Sequence, residues 1–363
     1  MADTDTLARL DQIGDWPPPE ERQEWFGDPA AERALLDAYR SGRMHHAWLI
    51  GGPKGIGKAT LAYRFARFVL AHPDPSGADL ASATDLSVAP NHPAFRRLAR
   101  RAHPNLLTLE RPYDEDRDRF RTELTVAEIR RTVSFFGSTG GEPGWRIAIV
   151  DAADDMNPSA ANALLKVLEE PPPRSLFLII AHAPGRLLPT IRSRCRRLEL
   201  APLRHEALVE ALRSGPGTRQ ADAETLTLAA ALAEGSLRRA ILLLEEDGVG
   251  TYREFARLIS RLPDIDIGEM HAFADSVARR GADDAYHGFL DLLRDWLGRR
   301  VRSEAEPDPA IGLSPAVRGA PLARWAEVWE KVEQSSADTE ELNLDRQQTV
   351  LSILMTLARA VRM

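Results

Sequence analysis

The stretch that decides the fold is a glycine-rich loop between a short apolar run and a helical pattern, and it reads Gly52-Pro53-Lys54-Gly55-Ile56-Gly57-Lys58-Ala59-Thr60. Glycines let successive backbone N–H groups curl around phosphate oxygens without Cβ clashes, and a lysine adds a point charge. The helix that begins near Lys58 would direct its positive dipole end at the same anion. Spacing and context therefore favour a phosphate-binding loop over a turn without a ligand. The predicted phosphate-contacting residues are Gly52, Gly55, Gly57, Lys58, Ala59 and Thr60.

The loop departs from the usual motif at one position. The motif places Ser or Thr directly after the lysine, so that the hydroxyl binds Mg²⁺. Here that residue is Ala59, and the hydroxyl comes one residue later at Thr60. A shift of one residue turns a helical side chain by about 100°, so Thr60 is not an equivalent ligand. The sequence thus predicts phosphate binding with impaired magnesium coordination.

Apolar runs and helical patterns alternate through the first half of the chain. Several of the runs are continuous rather than alternating, which is typical of parallel strands covered on both faces. Candidate strands lie at 47–50, 106–109, 146–150, 176–180 and 197–200, with helices at Thr60–Leu70, Val126–Phe136 and Ser159–Glu170. The predicted fold class is an α/β P-loop module with a parallel five-stranded sheet.

Beyond Pro202 the strand signals end and amphipathic helices follow, broken by Pro and Gly. Three apolar stripes mark them: Leu226, Ala229, Ala230 and Ala233; then Leu290, Leu293 and Leu297; then Val350, Leu351, Leu354, Leu357, Ala358 and Val361. Gly248-Val249-Gly250 divides this half, and Ser303–Ala320 has the composition of a long loop. We predict three domains: 1–201 with the P-loop, 202–249 as a small helical domain, and 250–363 as a larger all-helical domain.

A second acidic site is expected where the strand at 146–150 ends in Asp151. An active ATPase of this type usually has a glutamate next, to orient the attacking water, but this chain has Ala152 and Ala153. The acids that follow, Asp154 and Asp155, are better explained by a helix N-terminus, where the dipole favours carboxylates. Two independent departures, at 59 and 152, therefore predict that hydrolysis is disabled.

Arginines supply further candidates. Arg194, within Ser193-Arg194-Cys195, lies just before the last strand, where it could reach a neighbouring subunit's γ-phosphate as an arginine finger. A surface arginine in a basic run is an equally good interpretation. Arg238 begins a helix and either faces a phosphate or is solvated. The pairs Arg96-Arg97 and Arg100-Arg101 form a basic face that would suit an anion, although most charge runs are solvated.

Composition narrows the function classes. The chain has 363 residues and a net charge of −7, from 47 basic and 54 acidic residues, which disfavours stand-alone binding to a phosphate backbone. Its single cysteine, Cys195, permits no intramolecular disulfide and no cysteine-based zinc site. The acidic start lacks the regions of a signal peptide, and no apolar run has the length to span a bilayer. We expect a cytoplasmic protein.

Four stretches together resemble a known family, the AAA+ clamp-loader subunits of bacterial DNA polymerase III. They are His45-His46-Ala47, the loop at 52–60, the run from Asn162 through Leu-Leu-Lys-Val-Leu-Glu-Glu to Pro172, and Ser193-Arg194-Cys195. Gly235-Ser236-Leu237-Arg238 extends the match into the helical half. Within the family, Ala59 and Ala152 are similar to the non-motor stator subunit rather than to the gamma/tau motor.

The resemblance implies an AAA+ module, a small helical lid and a helical collar that joins subunits into a ring. It assigns Arg194 the role of a finger acting in trans on a motor subunit's ATP, and it gives Arg238 the position of the lid arginine. Its partners would be gamma/tau, the clamp-opening delta subunit, and, through the assembly, the sliding clamp and primer-template DNA. ATP or ADP would bind weakly or vestigially. Many relatives carry a four-cysteine zinc module where this chain has the cysteine-free segment 73–104, so no zinc is expected.

Two other functions stay open from the sequence. One is a self-sufficient ATPase such as the gamma/tau motor of the same loader. The other is a P-loop phosphotransferase, which would leave the C-terminal helices without a purpose.

Overall fold

The computed structural model describes residues 12–77, 80, 82–114, 119–137, 142–218, 221–279, 283–302 and 315–362. The chain divides into two compact units, Met1–Gly217 with Glu234–Arg238, and Thr218–Ala233 with Arg239–Met363. The first division falls after Gly217, so the helix at 205–214 belongs with the sheet. The three-domain boundaries at 201/202 and 249/250 remain a prediction.

The first unit is built on a five-stranded parallel sheet, which confirms the predicted α/β class. Its strands are β1 (Ala47–Gly51), β2 (Leu106–Leu109), β5 (Arg146–Val150), β6 (Ser175–Ala181) and β7 (Arg196–Glu199), in the order β2-β5-β6-β1-β7. A separate antiparallel pair joins β3 (Tyr113–Asp114) to β4 (Arg119–Phe120). In the central pairing, Ala47 lies opposite Phe177 and Gly51 opposite Ala181.

Helices flank this sheet along the chain. They are α1 (Pro29–Arg40), α2 (Lys58–Ala71), α3 (Pro93–Ala99), α4 (Val126–Gly137), α5 (Pro158–Glu169), α6 (Pro189–Ser193) and α7 (His205–Ser214). Short 3₁₀ turns lie at Ala153–Asp155 and Pro184–Arg186. The Asn157 side chain caps α5 by accepting from the Ala160 amide at 2.9 Å, and the proline run after Glu170 prevents the helix from continuing.

The sheet has a separate apolar core on each face. Trp48 and Ile50 of β1 pack with residues of α1 and α2, whereas Ala47 and Leu49 pack with residues of α4 and α5. All five residues of β1 and all seven of β6 are buried. Burial on both faces is the reason that these strands carry continuous apolar runs.

The second unit, described by itself, is helical. It contains α8 (Ala223–Leu232), most of α9 (Leu237–Glu245), α10 (Gly248–Ser260), α11 (Ile267–Val277), α12 (Asp283–Val301), α13 (Pro315–Gly319), α14 (Leu322–Leu342) and α15 (Arg346–Arg362). Its core contains Trp296 packed edge-on against Trp325, with ring centroids 5.3 Å apart. The predicted loop at 303–320 is wrong in part, because residues 315–319 are helical; residues 303–314 lie outside the described part of the chain.

Candidate phosphate site and its surroundings

The glycine-rich loop joins β1 to α2, as the sequence predicts, and three of its glycines, Gly52, Gly55 and Gly57, have positive φ. Gly52 has φ +137°, and a Cβ there would lie 2.4 Å from the Leu200 carbonyl oxygen. Gly55 has φ +81°, and a Cβ would lie 2.2 Å from Ser236 Oγ. Side chains rarely adopt either conformation, so geometry alone requires both glycines.

Lys58 folds back onto its own loop. Its Nζ donates to the carbonyl oxygens of Gly52 at 2.7 Å and Pro53 at 2.5 Å, and the residue is only 3% exposed. A buried ammonium requires such partners, because an unsatisfied charge in the interior is costly. An incoming phosphate would have to compete with these two carbonyls for the lysine.

Arg238, in the first turn of α9, is brought to the phosphate loop. Its backbone N–H donates to the Gly55 carbonyl oxygen at 3.2 Å, and its side chain lines the cavity at the loop together with Lys58 and Asp151. The cavity measures about 70 Å³. Asp151 follows β5 directly and is buried. Residues that are far apart in sequence thus meet at the carboxyl edge of the sheet, where parallel α/β folds place their ligands.

The position directly after Asp151 holds a buried alanine rather than a carboxylate. Ala152 is 4% exposed and adopts a left-handed conformation with φ +54°. Asp154 and Asp155 lie in the first turn of the 3₁₀ helix at Ala153–Asp155, close to the predicted position at a helix N-terminus. Each of them also has a partner outside that turn. The Asp154 carboxylate accepts from the backbone amides that follow β6, and Asp155 pairs with Arg111 at 3.6 Å.

His182 belongs to the loop cavity, although no sequence motif marks it. Burial lowers its pKa, and the ammonium of Lys58 lowers it further, whereas Asp154 acts in the opposite direction. The net effect is a pKa below the ordinary value for histidine, which favours a neutral ring. One signal could have found it: His182 directly follows a buried parallel strand, as Asp151 does.

The segment before α1 also contributes. Ile13, Pro19 and Arg22 line the loop cavity, and no motif marks them. Two buried arginines of α2 hold this segment by its backbone: Arg67 donates to the carbonyl oxygens of Glu20 at 2.7 Å and Arg22 at 3.1 Å, and Arg64 donates to that of Gln23. Burial lowers the pKa of Arg67 to about 10.

A larger cavity of about 610 Å³ lies beside the loop in the first unit. Its lining includes Gly57, Thr60 and Arg22, which also line the smaller cavity, together with aromatic rings and further arginines. The rings are those of Trp16, Trp25, Phe26 and Phe95, and the other arginines are Arg96 and Arg100. Its volume falls in the range of about 300–1,000 Å³ that is usual for small-molecule sites.

The predicted basic face at 96–101 is only partly available to an anion. Arg97 is paired with Glu142, and Arg101 is paired with Glu20 at 2.7 Å and Glu110 at 2.5 Å. Acids from elsewhere in the chain thus pair with two of the four arginines, whereas the binding of an anion by this face remains untested. The helix itself, α3, packs through Phe95, whose ring centroid lies 3.9 Å from the Arg67 guanidinium carbon.

Arg194 lies at the C-terminal end of α6, before β7. One terminal nitrogen donates to the Thr190 carbonyl oxygen at 3.0 Å, and the other donates to Glu169 at 2.7 Å. The side chain is 35% exposed. Its neighbour Cys195 is buried, and burial raises the pKa of the thiol to about 12. Within Ser193-Arg194-Cys195, the cysteine side chain is therefore buried in the core and the arginine side chain lies at the surface.

The described part of the chain contains neither a cluster of metal-ligating side chains nor a membrane-spanning helix. Within the described ranges, no group of three or more His, Cys, Asp and Glu residues could hold a metal ion. Nor does any described helix combine the length and apolarity that crossing a bilayer demands.

Comparison with known proteins decides the family. A family model described as DNA polymerase III, delta subunit, matches residues 27–204. The chain is 30% identical over 268 residues to the DNA polymerase III subunit delta' of Escherichia coli strain K12, and the match covers 73% of each chain. This chain belongs to the DNA polymerase III delta-prime family. The predicted resemblance to clamp-loader subunits is thereby confirmed.

Other members of the family match over shorter stretches. Identity to the delta' subunit of Pseudomonas aeruginosa is 37% over 150 residues, which is 41% of each chain. The match to the Bacillus subtilis delta' subunit spans 50% of that protein. A gamma subunit-related protein from Thermotoga maritima superposes with a TM-score of 0.40 and 15% identity, over 90% of this chain and 99% of that one.

Proposed function

We propose that this delta-prime family chain is the stator subunit of a DNA polymerase III clamp loader, which hydrolyses no ATP itself and presents Arg194 to ATP on a neighbouring motor subunit. Gamma/tau motor subunits and a clamp-opening delta subunit would be its direct partners. The sliding clamp and primer-template DNA would be reached through the assembly, in the cytoplasm.

The observation that carries this proposal is the environment of Ala152. The residue that would orient an attacking water is replaced by a buried alanine with φ +54°. Asp154, two residues later, is engaged by the amides of His182 and Ala183. Since Ala59 also lacks a hydroxyl for Mg²⁺, this site has neither group that phosphoryl transfer to water requires.

The phosphate loop supports nucleotide recognition more than nucleotide turnover. Lys58 and the loop glycines fit a phosphate group, but the cavity of about 70 Å³ is far smaller than an ordinary ligand site. The larger cavity shares Gly57, Thr60 and Arg22 with it and has aromatic walls suited to a base. ATP or ADP bound here would need the lysine to leave its carbonyl partners, which predicts weak binding without normally seated magnesium.

Arg194 has the properties that a trans-acting group needs. It is partly exposed at the amino end of β7, on the opposite edge of the sheet from this chain's own phosphate loop, which corrects the expected position at the carboxyl edge. Guanidinium is the side chain best suited to oxygens of a phosphoryl group. Arginine fingers act on charge that develops in the transition state, so their removal lowers kcat.

The test is ATP hydrolysis by the full chain alone and by the assembled loader. The isolated chain should show no turnover above background. Arg194→Ala should leave assembly intact and lower kcat of the loader at least about tenfold, and Arg194→Lys should not restore it because an ammonium lacks the planar fork. Arg197→Ala, an exposed arginine of β7 in the same basic run, is the control and should leave turnover unchanged.

Vigorous hydrolysis by the isolated chain, abolished by Lys58→Ala, would instead identify a motor subunit. If loaders with Arg194→Ala and Arg197→Ala hydrolysed ATP at the same rate, Arg194 would have no role as an arginine finger.

A further inference from the structure

Two motifs that are separate in sequence meet in one ion pair. Glu169 is the last residue of α5, within the Leu-Glu-Glu-Pro-Pro stretch, and Arg194 directly follows α6. Their side chains join at 2.7 Å, with Glu169 50% exposed and Arg194 35% exposed. The Leu-Glu-Glu-Pro-Pro stretch has no part in the function proposed above, and the contact with Arg194 is the observation that connects it to that function.

The position of Glu169 is unfavourable for the helix that carries it. The C-terminal end of a helix holds partial negative charge, so a carboxylate there is repelled, whereas Lys or Arg would be favoured. Pro171 rules out a further turn that would place the acid in the helix interior. Helix stability therefore does not explain the glutamate, but its bond to the arginine does.

The bonds to Thr190 and Glu169 restrict the orientation of the Arg194 guanidinium but leave some of its N–H donors available. A guanidinium has five N–H donors in a planar fork, and the bonds to Thr190 and Glu169 engage one donor on each terminal nitrogen. Donors remain for a further anion. A long side chain that is already held in place loses less rotamer freedom when that anion arrives.

We infer that Glu169 is a positioning residue, which fixes the guanidinium of Arg194 in the orientation that meets the triphosphate of a neighbouring subunit. This inference rests on the proposed trans-acting role of Arg194. An exposed ion pair adds little to folding stability, so the glutamate can be removed without unfolding the chain, and its effect should appear in catalysis.

The experiment uses full-length chain assembled into the loader, with kcat and KM for ATP measured separately. Glu169→Ala should lower kcat about two- to tenfold, the range expected when one side chain must be ordered during the reaction. The KM for ATP, assembly and the unfolding temperature should stay unchanged. Glu169→Gln, which keeps an acceptor oxygen at the same reach, should restore part of the loss. Glu170→Ala removes the neighbouring exposed glutamate and should have no effect on kcat.

A double variant separates the possible failures. If Glu169 acts through Arg194, Glu169→Ala combined with Arg194→Ala should be no slower than Arg194→Ala alone. A further loss in the double variant, or Glu169→Ala as active as Glu170→Ala while Arg194→Ala is impaired, would overturn the positioning role only. Full activity of Arg194→Ala would overturn the finger, and the role of Glu169 with it.

Discussion

The Asp154 carboxylate accepts hydrogen bonds from the backbone amide of His182, at 3.0 and 3.1 Å, and a third from Ala183 at 2.8 Å. An acid two residues after the expected catalytic position is thus hydrogen-bonded to the end of a neighbouring strand. Burial alone would raise the pKa of Asp154, but these amide donors outweigh it and the net pKa is lower than usual. The contact makes the acid a structural group that holds β6 beside β5.

The first prediction concerns this contact. Asp154→Asn should destabilise the chain by about 1–3 kcal/mol at pH 7, because an amide turns an N–H donor towards a backbone N–H. A lowered carboxyl pKa stabilises the folded state above the unfolded pKa of about 4 and ceases to do so as pH falls through the folded value. The difference from wild type, measured by urea unfolding, should therefore be full at pH 7 and shrink below pH 4. Asp155→Asn should cost less than about 1 kcal/mol; equal losses for the two variants, or a loss unchanged at pH 3, would contradict the assignment.

A second prediction concerns the left-handed residue Ala152. Ala152→Gly should be neutral or stabilising by up to about 1 kcal/mol, because glycine adopts positive φ without steric cost. Ala152→Glu should cost at least about 2 kcal/mol, since it places a carboxylate in a buried, strained position. Guanidinium unfolding gives both values, and ATPase measurement on the isolated Glu variant should show no gain. A stable Glu variant that hydrolyses ATP would show that this site is only one residue from activity.

Lys58 provides a third prediction. Lys58→Met keeps the length of the side chain but removes the ammonium, so calorimetry should show ATP affinity at least about tenfold lower. The loss of two buried hydrogen bonds should also reduce stability by about 1–3 kcal/mol without nucleotide. Lys54→Met, at an exposed lysine of the same loop, is the matched control and should change both quantities much less. If the two variants bound ATP with equal affinity, Lys58 would stabilise the conformation of the loop without contributing to nucleotide binding.

The C-terminal helix allows a fourth prediction with an adjacent control. Leu354 of α15 is fully buried, whereas Met355 is 44% exposed. Leu354→Asp should lower stability by at least about 3 kcal/mol by burying an unpaired charge. Met355→Asp should change it by no more than about 0.5 kcal/mol. Thermal unfolding of the two variants should differ by many degrees, and similar midpoints would place the third apolar stripe in solvent.

The sequence predicted the centre of the sheet well because β1 and β6 are buried along their whole length. Such strands need apolar residues throughout, so their runs were visible, and the loop followed β1 with clear glycines. The edge strand β7 is largely exposed and gives a weaker signal. The stripes of Leu290, Leu293 and Leu354 were equally visible, since a helix that covers a core repeats its apolar residues every three or four positions.

The site was harder to predict where it depends on long-range contacts. Arg97 and Arg101 form a basic face by helical periodicity, but periodicity does not reveal Glu142 or Glu20, which arrive from elsewhere in the chain. Ile13 and Arg22 also come from a distant part of the sequence, and no local pattern shows that they line the loop cavity. His182 was predictable, since the carboxyl ends of parallel strands share an edge, and applying that rule to β6 as well as to β5 would have selected it.

Arg67 hydrogen-bonds the backbone carbonyl oxygens of Glu20 and Arg22, and this has a consequence for how the sequence can vary among relatives. A carbonyl group is the same whichever amino acid supplies it, so Arg67 does not itself select the side chains at positions 20 and 22. Those side chains are constrained by other contacts, such as the pair of Glu20 with Arg101. The selective pressure for the route of this segment should therefore fall on the arginine of α2, separately from the pressure on the segment's own side chains.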